Sequence, residues 1–289
     1  MHTLLAIFGI WAGLNLLHAA WVGARRSLWE RRFTRDPEGL LPGAAAFSAG
    51  NGPTPVLFIH GFADTPHIWK RVIARLAATG AFTCRAMRLP GSAEPACGAR
   101  RQTLALWREG VDREIDALRP ARGKLWIAAH SMGAALAVDA ALRRPDAVAG
   151  LVLLAPLIHV SRRRSPLLPP AVWFRLAQVA LALSPTFESC FSADGTAVDD
   201  PSFTYRRDRF IPFCVYRGLF DLIRANRGQA GRLAQPVFAI TAERDSVVDT
   251  PAALRWLSLC PAPKQIQARS DVGHVIPLEI GWQDRKSVV

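Results

Sequence analysis

Lysine is scarce in this chain, and arginine carries almost all of its positive charge. Of 36 basic residues four are lysines, and the formal net charge is +13 at pH 7. Such an excess favours anionic partners, either nucleic acid or phospholipid headgroups. The arginines are dispersed, and no nucleic-acid-binding signature groups them with aromatic residues on one element. We therefore expect no nucleic-acid partner.

The five cysteines include no CxxC pair, so the sequence contains no metal or redox motif of that kind. We expect neither a metal nor a nucleotide cofactor. An odd number of cysteines leaves at least one thiol unpaired in a monomer. Free buried thiols are the main expectation, and a bridge between Cys190 and Cys214 in an oxidising compartment is the alternative.

Charged residues are absent from the 22 residues between Thr3 and Ala24. As a helix this stretch would be about 33 Å long, enough to cross a bilayer. Arginines follow at once, beginning with Arg25 and Arg26. By the positive-inside rule, residues 1–25 are predicted to be a single-pass membrane anchor with the body of the protein on the cytoplasmic side.

Two alternatives to an anchor remain open. The small residues of "VGA" before Arg25 suit cleavage of a signal peptide, which would leave a secreted or periplasmic protein. Against cleavage, the segment has no basic region before its apolar part, and its charges lie on the other side. A buried amphipathic helix is the third possibility.

The remainder of the chain is long and apolar enough for one large domain: the sequence has 289 residues, of which 50% are hydrophobic. We predict a linker over residues 26–44 and a single domain over 45–289. Apolar, strand-like runs alternate with helical patterns. The strands are predicted at 56–62, 82–89, 124–130, 148–156, 236–241 and 264–269, and the helices at 66–79, 102–119, 132–144, 251–258 and after Pro277. Such alternation indicates a mostly parallel sheet with helices on both faces.

The alternation stops between residues 157 and 234. An insertion of this length between two strands is most simply a lid. Its apolar stretch "AVWFRLAQVALAL" is predicted to be a helix in the core of the lid, packed on the sheet domain, with a direct wall for an acyl chain as the alternative.

Four chemically capable residues follow predicted strands: His60, Ser131, Asp245 and His274. Ligand sites in parallel sheets lie beyond the carboxyl ends of the strands, so we expect these side chains at one edge. Ser131 separates a strand from a helix and must occupy a tight turn that exposes its hydroxyl. Ala129 is small enough for such a turn.

A serine hydroxyl needs a base, and the base needs a carboxylate that fixes its tautomer. His274 and Asp245 are predicted in these roles, because the order Ser, Asp, His is the one expected for this topology. Asp249 is the reserve carboxylate. The backbone N–H groups of Phe62 and Met132 are predicted to stabilise an oxyanion.

The other histidines of interest are predicted to be structural. His60 would orient the loop that carries Phe62, whereas His67, His130 and His159 are expected to pack in the core or at the rim.

The segments "VLFIHGFADTP", "RLPG", "AHSMGA", "ERDSVVD" and "GHVIP" resemble those of the α/β-hydrolase superfamily, and the chain is similar to bacterial carboxylesterases and monoacylglycerol lipases over about residues 45–285. The resemblance implies a triad of Ser131, Asp245 and His274, oxyanion donors at Phe62 and Met132, and a cap at 157–234 over an acyl pocket.

Two positions depart from the family pattern. Ala129 replaces the usual first glycine of the nucleophile turn, and Ser92 follows "RLPG" where histidine is common. The predicted function is hydrolysis of carboxylic esters that have an apolar acyl group, with an ester or lipid as substrate and a membrane contact through the N-terminal helix. A thioesterase, amidase or acyltransferase with the same triad, and a non-catalytic membrane-tethered binding protein, are the alternatives. The sequence does not predict the oligomeric state.

Overall fold

A seven-stranded sheet organises the chain. The computed structural model describes residues 1–95, 102–119, 123–163, 165, 167–189 and 207–278. The strands are β1 (Phe47–Ala49), β2 (Thr54–Ile59), β3 (Phe82–Met87), β4 (Leu125–His130), β5 (Val148–Leu154), β6 (Thr186–Glu188), β7 (Phe210–Pro212), β8 (Val237–Ala242) and β9 (Lys264–Arg269). The sheet order is β1-β3-β2-β4-β5-β8-β9, and β6 pairs with β7 in a separate two-stranded sheet.

Seven α-helices accompany the strands in the described residues. They are α1 (His2–Glu30), α2 (Lys70–Ala78), α3 (Leu104–Leu118), α4 (Met132–Arg143), α5 (Pro170–Ala180), α6 (Phe213–Asn226) and α7 (Thr250–Ser258). Every pairing in the large sheet is parallel except that of β1 with β3. The predicted mostly parallel α/β-hydrolase fold is confirmed.

The central strands are apolar on both faces because both faces are covered. In β4 five of the six residues are buried. Two apolar clusters share the strands: Ile127 belongs to one and Ala128, its neighbour in sequence, to the other. Neighbouring residues of a strand point to opposite faces, so a core lies on each side of the sheet.

Most predicted elements are present, with small shifts at their ends. The predicted strand 264–269 coincides with β9, while the predicted helix 66–79 begins with a 3₁₀ turn, Pro66–Trp69, before α2. Proline at the start of that turn fits a position whose N–H has no helical acceptor. The last helix was expected after Pro277. The structure has a 3₁₀ turn at Ile276–Leu278, and residues after 278 lie outside the described part of the chain.

The 157–234 segment separates β5 from β8. Its last helix, α6, belongs to the helical layer of the sheet: Gly218 lies against the Trp107 ring, and Asn226 Nδ2 donates to the Ala135 carbonyl at 2.8 Å. The α5 helix has no fully buried residue, so it does not form a buried core of the segment as predicted. Its Phe174 does pack on α6, against Phe213, Tyr216 and Phe220, which agrees with the predicted packing on the sheet domain. Whether the segment acts as a lid stays a prediction.

The N-terminal helix α1 runs to Glu30, five residues beyond the predicted anchor. By length and composition it could cross a membrane, and a signal sequence would pass the same test. Past the helix, part of the predicted linker is packed: Leu40, Leu41 and Ala44 are buried against Ala93.

A buried carboxylate joins α3 to α4. Asp139 on α4 accepts hydrogen bonds from Arg108 at 2.6 and 3.0 Å and from Arg143 at 2.8 Å, and its side chain is 5% exposed. Removing the charge leaves two arginines with weakened partners near the core, so Asp139→Asn is expected to lower the free energy of unfolding by about 2 kcal/mol. Chemical denaturation measures this.

The matched control is Asp221→Asn. Its partner Arg224 lies on the same helix, and both side chains are largely exposed. Exposed pairs contribute at most about 1 kcal/mol, so this variant should unfold almost as wild type does. Equal effects of the two substitutions would contradict a structural role for the Asp139 network.

Candidate active site

Ser131 lies in a strained turn between β4 and α4. Its φ of +54° and ψ of −117° fall outside the regions that a residue with a side chain ordinarily adopts. Backbone hydrogen bonds hold this geometry, since the Ser131 N–H donates to Leu154 O at 2.9 Å and Ser131 O accepts from Leu157 N at 3.2 Å. Strain held by its surroundings in this way is characteristic of functional turns.

Close packing beside the turn explains its small residues. A Cβ atom on Gly133 would lie 2.5 Å from the carbonyl oxygens of Ile59 and His60, so only glycine fits there. Ala129, by contrast, is an ordinary residue of β4, fully buried and paired with Ile59 and Leu153. The extra methyl group at this departure from the family pattern is therefore accommodated inside the sheet.

Three side chains from distant parts of the chain form a line of hydrogen bonds. His274 Nε2 lies 3.0 Å from Ser131 Oγ, and His274 Nδ1 lies 2.8 Å from Asp245 Oδ2. A carboxylate only accepts, so Nδ1 carries a proton and Nε2 of the neutral ring is left to accept from the serine hydroxyl. The arrangement suits transfer of the hydroxyl proton to the imidazole.

The Asp245 carboxylate is buried but well satisfied. Burial raises its pKa, but the hydrogen bond and charge of His274 and the hydrogen bonds from the Val248 and Val247 N–H groups lower it by more, so the net shift of the pKa is downward. The reserve candidate Asp249 does not reach the imidazole; it caps α7 by accepting from Ala252 N at 2.9 Å. An ionised carboxylate therefore faces His274 at neutral pH.

The loop after β2 approaches the serine closely. A Cβ atom on Gly61 would lie 3.2 Å from Ser131 Cβ, so the backbone beside Phe62 borders the nucleophile. His60 holds this loop: its Nδ1 donates to Gly61 O at 2.9 Å, and its Nε2 accepts from Leu89 N at 3.1 Å. Burial lowers the His60 pKa, which keeps the ring neutral in this role.

Phe62 and Met132 lie on the two backbone segments that flank Ser131. Met132 is the first residue of α4, where the N–H groups have no acceptor within the helix. The positive end of the helix dipole also favours negative charge there. These segments can offer donors to an anion at the serine, and their assignment as an oxyanion hole stays a prediction.

His130, which the sequence suggested was a packing residue, contacts the catalytic histidine candidate directly. Its Nε2 donates to the backbone carbonyl of His274 at 2.8 Å, and the two ring centroids are 5.0 Å apart. Burial, and next the charge of His274, lower the His130 pKa to about 4. A neutral His130 thus fixes the loop that carries His274; its position next to Ser131 in sequence was the only available signal.

The 157–234 segment reaches the same loop after β2. Arg207 donates to Phe62 O, and the Asp208 N–H donates to Ala63 O, each at 2.9 Å. The Asp208 carboxylate also accepts from Ala93 N at 3.0 Å. These bonds fix the loop carbonyls toward the inserted segment.

The loop after β3, where Ser92 departs from the family pattern, is well ordered by polar contacts. Arg88 donates to Ser92 O at 3.0 Å and pairs with Glu94 at 2.8 Å. Ser92 itself is buried. A serine here is compatible with a closed turn.

Aromatic rings form a cluster beside Phe62. The Phe62 and Tyr216 centroids are 5.1 Å apart, and Phe187 packs edge-on to Phe213 at 4.6 Å. Phe174 of α5 lies 6.0 Å from Tyr216. We call these five residues the aromatic cluster. Through Phe62 it adjoins the loop whose Gly61 approaches Ser131.

In the part of the chain that the structure describes, no group of three or more His, Cys, Asp or Glu side chains is arranged to hold a metal ion. Cys84 and Cys260 are free thiols, and burial raises the pKa of each to about 11. The alternative Cys190–Cys214 bridge involves Cys190, which lies outside the described residues.

The fold and this site define an α/β-hydrolase. Residues 54–280 match the family described as serine aminopeptidase, S33, and the chain belongs to that family. The predicted resemblance to carboxylesterases and monoacylglycerol lipases is confirmed at the level of the superfamily and of named relatives.

Curated relatives match the chain over part of its length. A thermostable monoacylglycerol lipase from Bacillus sp. is 33% identical over 121 residues, which are 42% of this chain and 48% of that protein. Lipase LipV from Mycobacterium tuberculosis is 32% identical over 120 residues, 39% of this chain and 41% of that protein. The chain thus spans less than half the length of these relatives.

Solved structures share the fold across most of the chain. A monoacylglycerol lipase from Paleococcus ferrophilus superposes with a TM-score of 0.69 at 19% identity, covering 83% of this chain and 93% of that one. A soluble variant of monoglyceride lipase from Saccharomyces cerevisiae gives 0.64 at 17% identity, covering 84% and 89%. These likenesses establish the fold.

The His130 pKa predicts a pH dependence of stability. Below its ordinary value of 6.5 the unfolded chain binds a proton that the folded chain does not take up until about pH 4. Stability should therefore fall as the pH drops through this window, by about 3 kcal/mol from this group. His130→Gln keeps a donor for His274 O but does not titrate, so denaturant titrations of the variant should lose that part of the slope. Identical slopes for variant and wild type would contradict the buried neutral ring.

Proposed function

We propose that this protein is a serine hydrolase that cleaves carboxylic esters with an apolar acyl group. The observation that carries the proposal is the hydrogen-bonded line from Asp245 through His274 to Ser131, with the serine on a strained strand-to-helix turn. Neither a buried structural serine nor a helix cap requires a basic nitrogen at 3.0 Å from its hydroxyl. Such a line is typical of nucleophilic catalysis.

The proposed reaction has two halves. Ser131 Oγ attacks the ester carbonyl carbon while His274 Nε2 takes the hydroxyl proton, and the same proton then passes to the departing alcohol. Water attacks the resulting acyl-serine, His274 again takes a proton, and Ser131 leaves as a hydroxyl as the acid is released. The Asp245 carboxylate stabilises the imidazolium in both halves.

Negative charge develops on the carbonyl oxygen in each tetrahedral intermediate. We assign its stabilisation to the N–H groups of Phe62 and Met132. Both residues lie on the backbone segments beside Ser131, and Met132 begins α4, where N–H groups have no acceptor within the helix. Hydrogen bonds from Arg207 and His60 hold the loop of Phe62 in place. Rigid donors need no reorganisation as the charge forms.

The preference for an apolar acyl group rests on the aromatic cluster and on named relatives. The cluster borders the loop of Phe62, and ring surfaces favour alkyl chains over charged or strongly hydrated groups. Curated relatives are named as a monoacylglycerol lipase and a lipase. We therefore assign the 157–234 segment as a cap whose rings contact the acyl chain.

Membrane association is the second part of the proposal. The α1 helix is long and apolar enough to enter a bilayer, and Arg31 and Arg32 follow it, where anionic headgroups would lie. A lipid ester would then be met at the membrane surface. The single-pass topology, and the side of the membrane on which the domain lies, stay predictions.

A different scissile bond is the alternative. The family description names an aminopeptidase, and a thioesterase domain from the curacin biosynthetic pathway superposes with a TM-score of 0.55. The same triad would attack a thioester or an amide. Matched ester, thioester and amide substrates with one acyl group separate these activities.

Substitution of the three residues tests the mechanism. Because they act as a unit, Ser131→Ala or His274→Ala should lower kcat on p-nitrophenyl butyrate by about a millionfold, and Asp245→Asn by about ten-thousandfold. Asp249→Asn is the control, since asparagine also caps a helix and kcat should stay near wild type. A Ser131→Ala variant that keeps its activity would contradict the proposed mechanism.

A chain-length series tests the acyl assignment. The kcat/KM of p-nitrophenyl esters should rise from acetate toward medium-length chains, because each buried methylene contributes about 0.8 kcal/mol. Phe174→Ala removes one ring of the cluster and should reduce the gain for longer chains while sparing the acetate. Equal losses on all esters would instead indicate general damage to the site.

A further inference from the structure

One face of α1 docks on the 157–234 segment. The residues of this face recur at alternating steps of four and three, the spacing of a packed helical seam. They are Trp11, Asn15, His18, Val22, Arg25 and Trp29. We call this set the α1 seam.

At the N-terminal end of the α1 seam, polar side-chain groups bind the C-terminal end of α5. Asn15 is 1% exposed; its Nδ2 donates to Ala180 O at 2.9 Å, and its Oδ1 accepts from Leu183 N at 3.2 Å. Trp11 Nε1 donates to the same Ala180 carbonyl at 3.0 Å. Carbonyls at a helix end lack partners within the helix, so α1 satisfies groups that α5 leaves open.

The other end of the seam is ionic. Arg25 binds Glu188 through two hydrogen bonds of 2.5 and 2.8 Å, and Arg209 also pairs with Glu188. Between the two ends His18 Nδ1 lies 2.8 Å from Ser184 Oγ. These contacts fix α1 to the 157–234 segment along five helical turns, as expected for a helix that stays docked on the protein.

Exposed apolar side chains are concentrated on the same two elements. Seventeen large apolar residues are exposed in the described part of the chain, and all except Leu259 lie within residues 1–28 or 167–183. Soluble monomers rarely expose so large a contiguous apolar surface. Leu16 and Leu17 point away from the seam, whereas Leu4 and Ile7 continue its spacing toward the N-terminus, beyond the docked residues.

The exposed face of α5 adjoins the docked part of α1. Trp173, Leu176 and Val179 recur every three residues along α5, and Leu183 follows the helix. Val179 and Leu183 flank Ala180, the residue to which Trp11 and Asn15 bind. Exposed apolar residues of α5 therefore lie next to the point where α1 docks.

The position of the docking contacts limits how deeply α1 can enter a bilayer. From His2 to Trp11 the helix rises about 14 Å, which is half of a hydrocarbon core of about 30 Å. If α1 spanned the membrane with its seam intact, Ala180 would be carried to the middle of the hydrocarbon. Entry into one leaflet keeps Ala180 and Ser184 near the interface.

We propose that α1 and α5 form one membrane-binding surface, locked together by the α1 seam, that inserts into a single leaflet of a phospholipid bilayer. This rests on the membrane association proposed above, which it specifies. The surface would hold the proposed cap at the bilayer, where an acyl chain passes from lipid to the aromatic cluster.

Site-specific fluorescence on liposomes tests the shared surface. A polarity-sensitive probe is attached to the full-length chain through His2→Cys, Val179→Cys or, as control, Arg113→Cys, in a background without the five native cysteines. Vesicles of zwitterionic and anionic phospholipid carry spin labels at shallow or deep acyl positions. Probes at residues 2 and 179 should shift to the blue and be quenched, the former most by deep labels, while the probe at residue 113 stays in water.

The outcomes separate the two proposals. If the probe at residue 2 enters the bilayer and that at residue 179 behaves like the control, the shared surface is wrong and membrane association stands. If neither enters, both proposals fail. If position 2 is quenched best by shallow labels while a probe at Leu14→Cys is quenched best by deep ones, α1 spans the membrane and insertion into one leaflet is wrong.

Asn15→Leu tests the seam itself. The variant keeps α1 apolar but removes the bonds to Ala180 and Leu183. The equilibrium constant for docking should fall by about threefold or more, the factor of one hydrogen bond between membrane helices, and quenching at residue 179 should fall with the docked population. Leu16→Ala, an exposed neighbour off the seam, should leave it unchanged. Equal behaviour of the two variants would overturn the seam, and p-nitrophenyl butyrate hydrolysis in detergent reports separately on the fold and the proposed reaction.

Discussion

The positive φ of Ser131 is the constraint on which the site depends. The turn brings the start of α4 so close to β2 that only glycine fits at position 133, where a Cβ atom would meet the carbonyl oxygens of Ile59 and His60. The strain is borne by a sheet that is buried on both faces. The strained turn places the Ser131 hydroxyl at the edge of the sheet, between the N-terminus of α4 and the loop of Gly61.

Much of this could be predicted from the sequence, because parallel strands end at one edge. Residues that directly follow apolar runs, such as Ser131 and Asp245, must meet there whatever the details of the helices. The separation of Asp245 from Asp249 depended on local geometry: one accepts from His274, and the other caps α7. The sequence ranks Asp245 ahead of Asp249 but leaves both open, because both follow the same strand.

Contacts between distant, irregular segments could not be predicted. His130 was expected to be inert, yet its ring nitrogen holds the backbone of His274, 144 positions away. For α1 the sequence analysis gives packing on the protein only as the third alternative, although Asn15 and His18 are unusual inside an apolar helix and the seam residues recur at helical spacing. Hydropathy averages hide such residues, because a few polar groups hardly change the mean. The core prediction for α5 failed for a related reason: apolar composition does not say whether protein or lipid covers the surface.

The 157–234 segment connects the site to the N-terminal helix, since Arg207 contacts the loop of Phe62 and Ala180 and Glu188 contact α1. The central claim remains chemical: Ser131 is the nucleophile. Peptide mass spectrometry of the native protein after reaction with a fluorophosphonate tests it most directly. One adduct per chain is expected, on the peptide that contains Ser131. An adduct on another residue, or folded protein that stays unmodified, would contradict it.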